Sequence, residues 1–412
     1  MVAVCGLAMI AATLDAQVEF SALVDLVLNP GLDIGDDTGD SDSNAASRGD
    51  DPFHTIRARL FMDGDVAEWL SVNTRFLFDH DASSGQPIAR LDGAFATFWS
   101  ILGVDALNLQ VGNVPWPFGS FGPRTYSDEN PVIGAPLMYS YQTQVHGGGV
   151  YPNVDPDSTS FVPHNLSEHM LNTHGCDCFL EQAGETVSYQ GRGLIPIYDS
   201  WWTNGVVLVG AIDIFDYAFG VTTGALSNPK AEGNGRPSYV GRVGVEPFLG
   251  ISAGVSGFWG PYLSPEAAAG NLVRVPPPSD GEVYDFGQAA VGADLNLLFG
   301  PFSIFAEGLY TVWQVPNVVP DFGLWSWFVE ARYDVLPRMY VAARYDHMIF
   351  DRVDFQGSPT PWDHDVWRVE PAVGIRLARG AVLKVLGQAT FRAGPAGDTE
   401  DYLIASQLSL GI

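Results

Sequence analysis

From Gln17 onward, apolar and polar residues alternate with a period of two rather than 3.6, in runs of ten to fourteen residues. Each run predicts a strand with one apolar and one wet face. In QVEFSALVDLVLN, Val18, Phe20, Ala22, Val24, Leu26 and Leu28 share a face opposite Glu19, Ser21 and Asp25. In AAVGADLNLL, Ala289, Val291, Ala293, Leu295 and Leu297 oppose Ala290, Gly292, Asp294 and Asn296, and WRVEPAVGIRL alternates in the same way. About sixteen runs follow this rule, near 18–29, 53–63, 69–79, 89–101, 105–114, 203–212, 216–227, 238–248, 250–259, 284–298, 302–314, 324–335, 338–350, 365–378, 381–392 and 401–412.

The connections alternate between tight and long. Met62-Asp63-Gly64-Asp65, Leu102-Gly103-Val104, Asp213-Ile214-Phe215, Leu249-Gly250, Gly300-Pro301, Leu336-Pro337-Arg338 and Arg379-Gly380 are tight, whereas 30–52, 80–88, 115–202, 228–237, 260–283, 315–323, 351–364 and 393–400 are long. Short turns at one end and longer loops at the other predict an all-β fold, a transmembrane antiparallel β-barrel of about 16 strands spanning 17–412. Trp69, Trp99, Phe215, Tyr217, Phe299 and Tyr340 sit near the tight ends, and Trp259, Trp325, Trp327, Phe350 and Trp367 near the long ones, as two interfacial girdles require.

Composition narrows the function. With 46% hydrophobic and only 17% charged residues the chain is not disordered, and 48 acidic against 20 basic residues give a formal charge of -28 that repels nucleic-acid phosphates. No run reaches the roughly 18 to 20 consecutive apolar residues of a membrane-spanning helix. The apolar run VAVCGLAMIAATL, Val2 to Leu14, reads as a signal peptide cleaved after Ala16, so residues 1–16 form a leader. The scarcity of cysteine beyond Cys176 and Cys178 fits an exported chain in an oxidising space.

If the apolar face meets lipid, the wet face lines a lumen. Arg57, Arg59, Arg75, Arg90, Arg242, Arg332, Arg344, Arg368, Arg376, Lys384 and Arg392 fall on it, together with Glu330 and Glu370. Guanidinium suits phosphate and carboxylate, so such a wall attracts anions. The competing reading is structural pairing across strands: counting outward from Leu336-Pro337 places Glu330 beside Arg344, with Glu370 near Arg344 and Arg368 near Asp346. Arg57, Arg59, Arg75 and Arg90 have fewer acidic partners in this count and are the selectivity candidates, which predicts a modest anion preference.

Two loops hold further candidate chemistry. GLDIGDDTGDSDSNAASRGDD is an acidic loop that is solvated or holds divalent cations without the closing glutamate of a calcium loop. The long segment 115–202 contains His146, His164, His169, His174, Cys176 and Cys178. Imidazoles and thiolates suit zinc or copper, while the two cysteines alone suit a small-ring disulfide or free thiols, and the spacing leaves these open.

The run LNLQVGNVPWPFG, Leu107 to Gly119, an alternating strand ending in Gly and then a Pro-Phe-Gly turn, resembles Gram-negative outer-membrane porins of the sixteen-strand general or phosphate-selective type. That resemblance implies a third outer loop, here 115–202, folded into the barrel to narrow it, an outer-membrane setting with lipid and lipopolysaccharide as surroundings, passage of small hydrophilic solutes or ions, and a homotrimer. It also implies an aromatic last residue, where this chain has Ile412. No resident cofactor is expected. The alternative is a non-conducting barrel that scaffolds a partner such as an electron carrier. An enzyme is not expected: GxSxG, HExxH, P-loop and dinucleotide motifs are absent, and WDHDVW places its carboxylates at a strand end.

Overall fold

The computed structural model describes residues 17–28, 55–81, 86–143, 145, 147, 177–182, 185–190, 193–198, 202–265, 282–316, 321–355, 358–393 and 398–412. The expected signal peptide, the aspartate-rich stretch, and His146, His164, His169, His174 and Cys176 lie outside these residues, as does the side chain of Cys178.

In chain order the strands are β1 (Gln17–Leu28), β2 (Thr55–Ala67), β3 (Leu70–Asp81), β4 (Gln86–Phe98), β5 (Asn108–Pro115), β6 (Asp177–Gln182), β7 (Glu185–Gln190), β8 (Trp202–Ile212), β9 (Phe215–Thr222) and β10 (Ser238–Phe248). They continue as β11 (Ile251–Pro261), β12 (Gly287–Phe299), β13 (Phe302–Trp313), β14 (Phe322–Leu336), β15 (Met339–Phe350), β16 (Arg352–Phe355), β17 (Ser358–Pro361), β18 (Asp365–Ala378), β19 (Ala381–Ala393) and β20 (Thr399–Gly411). Sixteen of them close into one barrel, with β6–β7 and β16–β17 as separate hairpins outside its ladder. Every neighbouring pair is antiparallel, and β1 closes onto β20 through Val24 opposite Leu410 and Leu26 opposite Leu408. The seam is completed by Ala22 N–H donating to the Ile412 carbonyl at 3.1 Å and the reverse bond at 2.9 Å. Closure pairs the first and last strands, whose outer edges an open sheet would leave exposed.

Alternation decides the two faces. Along β14, Trp325, Trp327 and Val329 are exposed while Ser326, Phe328 and Glu330 are buried between them. Phe20, Val255, Trp259, Val291 and Phe302 are likewise exposed on the outer face. Polar side chains point to the inner one. Among the described residues, one side of the interior is filled by the chain itself: Trp116, Phe118, Phe121, Leu137, Met138, Tyr139 and Tyr141 pack with Phe258, Leu309, Trp313, Phe328, Phe350 and Trp362. Among the described residues no helix is long and apolar enough to cross a membrane.

Each expected run contains a barrel strand, with two corrections. The first hairpin does not turn at Met62-Asp63-Gly64-Asp65. Those residues belong to β2, with Gly64 opposite Val72 and Asp65 opposite Ser71, and the turn falls at Glu68-Trp69 after a bulge between Asp65 and Ala67. The alternating pattern continues through Gly64, so a glycine within a ladder was read as a turn. The run 216–227 also stops early: β9 ends at Thr222, and Gly224 at φ 81° turns the chain away. At the Arg379-Gly380 turn the expectation is met. Gly380 has φ 77° and its carbonyl receives Gly411 N–H at 2.6 Å, so this turn also anchors the end of β20.

Because the fold depends on closure, deletion of 399–412 removes β20 and should abolish the folded, heat-modifiable gel band obtained from the full chain in detergent. Retention of that band would show that the remaining fifteen strands close without it.

Candidate functional site: the inner wall and the segment clamped to it

At the end of β5 the chain reads Pro-Trp-Pro-Phe-Gly from Pro115 to Gly119, and the two prolines end the ladder by removing amide donors. Gly119 takes φ 65°, and a Cβ at this position would lie 2.1 Å from Glu307 Oε1, so only glycine fits. Its amide donates to Ser256 Oγ at 3.0 Å. The next two amides, of Ser120 and Phe121, donate to Glu307 Oε2 at 3.1 and 3.2 Å, and the Tyr139 hydroxyl donates to Oε1 at 2.5 Å. One buried carboxyl of β13 therefore holds both ends of a loop. Burial, and then the adjacent Glu307 carboxyl, push the Tyr139 hydroxyl pKa up.

A charged network holds the middle. Arg124 pairs with Glu330 of β14 and stacks over the Phe305 ring at 3.7 Å. Arg344 of β15 lies 3.6 Å from Glu330, 3.4 Å from Asp346 and 2.5 Å from Glu370 of β18, and Arg368 lies 3.6 Å from Asp346 and 3.5 Å from Glu370. The register behind it is the one expected, with Glu330 opposite Arg344, Arg344 opposite Glu370, and Asp346 opposite Arg368. The same groups grip the segment's backbone: Leu137 N–H donates to Asp346 at 2.9 Å, Arg344 donates to the Gly134 carbonyl at 3.2 Å, and Arg368 to that of Ala135 at 2.7 Å. Burial, then neighbouring Arg344, lower the Arg124 pKa to about 9, so the guanidinium still carries its charge at neutral pH.

Lys384 of β19 supplies the third hold. Its ammonium donates to the carbonyl of Ser127, to that of Asn130 at 2.5 Å and to Gln407 Oε1 at 3.3 Å. Beside it Asp25 of β1 accepts from the Ser127 hydroxyl and pairs with Arg59 at 3.2 Å, and Arg59 lies 5.3 Å over the Tyr126 ring. Residues 119–137 thus lie against the inner faces of β11, β13, β14, β15, β18, β19 and β1.

This placement divides the candidate pore-lining residues. Glu330, Arg344, Arg368, Glu370 and Lys384 are buried, Arg344 to 1% exposure, and face the segment rather than water. Arg57, Arg75 and Arg90 retain side-chain exposures of 35%, 20% and 44%. The expectation that these arginines have fewer acidic partners is corrected: each has one. Arg57 pairs with Asp79 at 2.9 Å, Arg59 with Asp25, Arg75 with Asp63 at 2.7 Å, and Arg90 with Asp92 at 2.7 Å. Arg242 is held by Asp216 at 2.8 Å and Asp294 at 2.7 Å, Arg332 and Arg376 share Asp334, and Arg392 meets Asp401 at 2.5 Å. Asp25, Glu307 and Asp346 were not singled out from the sequence as holds on the segment. Their one signal, an acidic residue on a wet face, is common to many others.

Of the expected metal set His164, His169, His174, Cys176 and Cys178, no side chain is described. Among the described residues no group of three or more His, Cys, Asp or Glu is arranged to hold a metal ion.

No protein-family model matches the sequence, and no curated protein matches it. The fold does have solved counterparts. The chain is similar to OmpT, an outer membrane protein of Vibrio cholerae (TM-score 0.52, 11% identity, 96% of this chain and 98% of that one). It is similar to an anion-selective porin from Comamonas acidovorans (TM-score 0.53, 10% identity, 96% and 100%), and to Salmonella typhi OmpF (TM-score 0.53, 10% identity, 96% and 97%). At these identities the likeness is one of fold: a sixteen-stranded barrel of the kind found in outer-membrane proteins of Gram-negative bacteria.

Removing Arg344 leaves the buried carboxylates of Glu330, Asp346 and Glu370 to share Arg124 and Arg368, one cation too few. Arg344→Met should cost about 3–5 kcal/mol in denaturant unfolding in detergent. Adding Glu370→Gln should recover part of that loss, because the excess buried negative charge is then gone. A single variant as stable as the parent would show that the network carries no strain on removal of its centre.

Proposed function

We propose that the protein is an outer-membrane channel of a Gram-negative bacterium, through which small hydrophilic solutes and ions diffuse passively. The observation that carries this reading is the asymmetry of the interior. Residues 119–137 are fixed to one side by buried ionic and backbone contacts, while the wall of β2, β3 and β4 keeps half-exposed ionic side chains. A barrel meant only to be filled has no need of hydrated side chains along one wall. The exposed outer face, with Trp259, Trp325 and Phe299 among its aromatics, suits lipid and lipopolysaccharide as surroundings. The clamped segment then serves as the constriction, and the short turns face the periplasm. Assembly as a homotrimer belongs to the same proposal.

The ion preference is revised with the pairing. Arg57, Arg59, Arg75 and Arg90 each spend their charge on a carboxylate, so the inner wall no longer favours anions by itself. The neighbour named as anion-selective therefore lends this chain no selectivity. A wall whose arginines are each paired with a carboxylate should discriminate weakly between potassium and chloride.

In planar bilayers the protein should give discrete conductance steps, and excision of 119–137 should enlarge them. Lys384→Met, which removes one hold and leaves the segment in place, should make the steps noisier. A potassium chloride gradient should give a permeability ratio well below tenfold, less than about 1.4 kcal/mol of discrimination. A folded barrel without any conductance would favour the scaffold reading, and strong anion selectivity would restore the arginines as free charges.

A further inference from the structure

The wall left open by the segment has a composition that passive diffusion does not require. Across β2, β3 and β4 one register row sets Phe61 opposite Arg75 and Arg75 opposite Gly93. Gly93 is a notch: a Cβ there would lie 2.4 Å from Cζ3 of Trp202, so the indole rests on the glycine, beside Arg75 on the inner wall. Arg75 lies 5.1 Å over the Phe61 ring. The row below sets Asp63 opposite Asn73 and Asn73 opposite Phe95, whose ring is 6.2 Å from Trp202. Tyr126 of the clamped segment meets Phe61 edge-on at 5.3 Å. The row above holds Arg59 and Arg90, and a bulge between Arg75 and Phe76 inserts Asp92, which pairs with Arg90. Phe61, Asn73, Arg75, Phe95, Tyr126 and Trp202 are all partly exposed.

We propose that this wall is a binding surface for a neutral, polyhydroxylated ring, the chemistry of a saccharide. Two features select that class. Aromatic faces offer apolar area at little entropic cost and take the C–H face of a sugar ring. The charged groups between them come as two neutralised pairs, Arg75 with Asp63 at 2.7 Å, which also accepts from Asn73 at 2.6 Å, and Arg90 with Asp92 at 2.7 Å. Each pair presents donors and acceptors together, which matches a hydroxyl that must both give and take a hydrogen bond. An anion gains little from a guanidinium that already holds a carboxylate, and a cation little from the carboxylate. Exposed pairs of this kind contribute little to stability, so they can open toward a hydroxyl at small cost. The inference deepens the channel reading and takes its solute from the same lumen, but binding itself does not require conduction.

The test uses the full chain in detergent micelles and saturation-transfer NMR with maltotriose, with benzoate as the charged planar competitor. The expected result is transfer to sugar ring protons with millimolar affinity, stronger than to benzoate. Trp202→Ala should weaken it about tenfold. Gly93→Ala, which displaces the indole without removing it, should weaken it as well. The double variant Arg75→Gln/Asp63→Asn removes one pair without changing net charge and should also weaken it, while Trp367→Ala on the outer face should leave it unchanged. No transfer to the sugar, preference for benzoate, or indifference to Trp202→Ala would overturn the proposal. Sugar binding by a barrel that does not conduct would refute the channel and leave this surface standing, and conduction without sugar binding would do the reverse.

Discussion

The pairing of β1 with β20 is the contact on which the rest depends. A strand exposes a row of amides and carbonyls, and only closure supplies partners for all of them without a flanking layer. Closure also makes one face concave and the other convex, so alternation along each strand sorts side chains by curvature. The convex face holds Phe20, Trp259 and Trp325; the concave face holds Asp25, Glu307, Arg344 and Lys384. Because β1 returns beside β20 and β19, Asp25 and Lys384 come to grip the same turn around Ser127 from opposite sides of the seam.

The clamp follows from a second constraint. A charge on the concave face that chain covers must find a partner, since an unpaired buried ion is far costlier than a lost contact. Residues 119–137 meet that demand with backbone. The carbonyls of Ser127, Asn130, Gly134 and Ala135 accept from Lys384, Arg344 and Arg368, and the amides of Ser120, Phe121 and Leu137 donate to Glu307 and Asp346. The segment is thus held chiefly by its main chain. Its side chains add Gly119 for the close approach to Glu307, Arg124 for Glu330, the Ser127 hydroxyl for Asp25 and a few apolar anchors.

The barrel was legible because its signal is repeated: sixteen alternating runs and their connections all vote for one architecture. The register around Leu336-Pro337 was legible because a proline marks that turn unambiguously, and Glu330 opposite Arg344 followed by counting. The first hairpin shows why the site was not. A turn centred on Asp63-Gly64 would set Arg57 opposite Leu70, whereas the turn at Glu68-Trp69 sets it opposite Asp79. The two counts differ by nine residues, an odd number, so counting from the wrong turn sets residues of opposite faces across from each other; the faces are legible from alternation within each strand, and the partners are not. The segment's path was illegible for a different reason. Its anchors lie on β11, β13, β14 and β18, far along the chain, and no periodicity links Ser120 to Glu307 or Ala135 to Arg368.

The same ion pair has two meanings inside this barrel, and exposure separates them. Arg344, with a fully buried side chain, sits among Glu330, Asp346 and Glu370, where exchange of a partner would strand a charge out of water. Arg57, with 35% of its side chain exposed, holds Asp79 beside water that can replace either group at little cost. The first arrangement is rigid because its alternatives are expensive; the second is exchangeable because its alternatives are nearly equal in free energy. In the proposed channel the second kind would line the wall of β2, β3 and β4, and the first kind would keep the segment fixed on the other side.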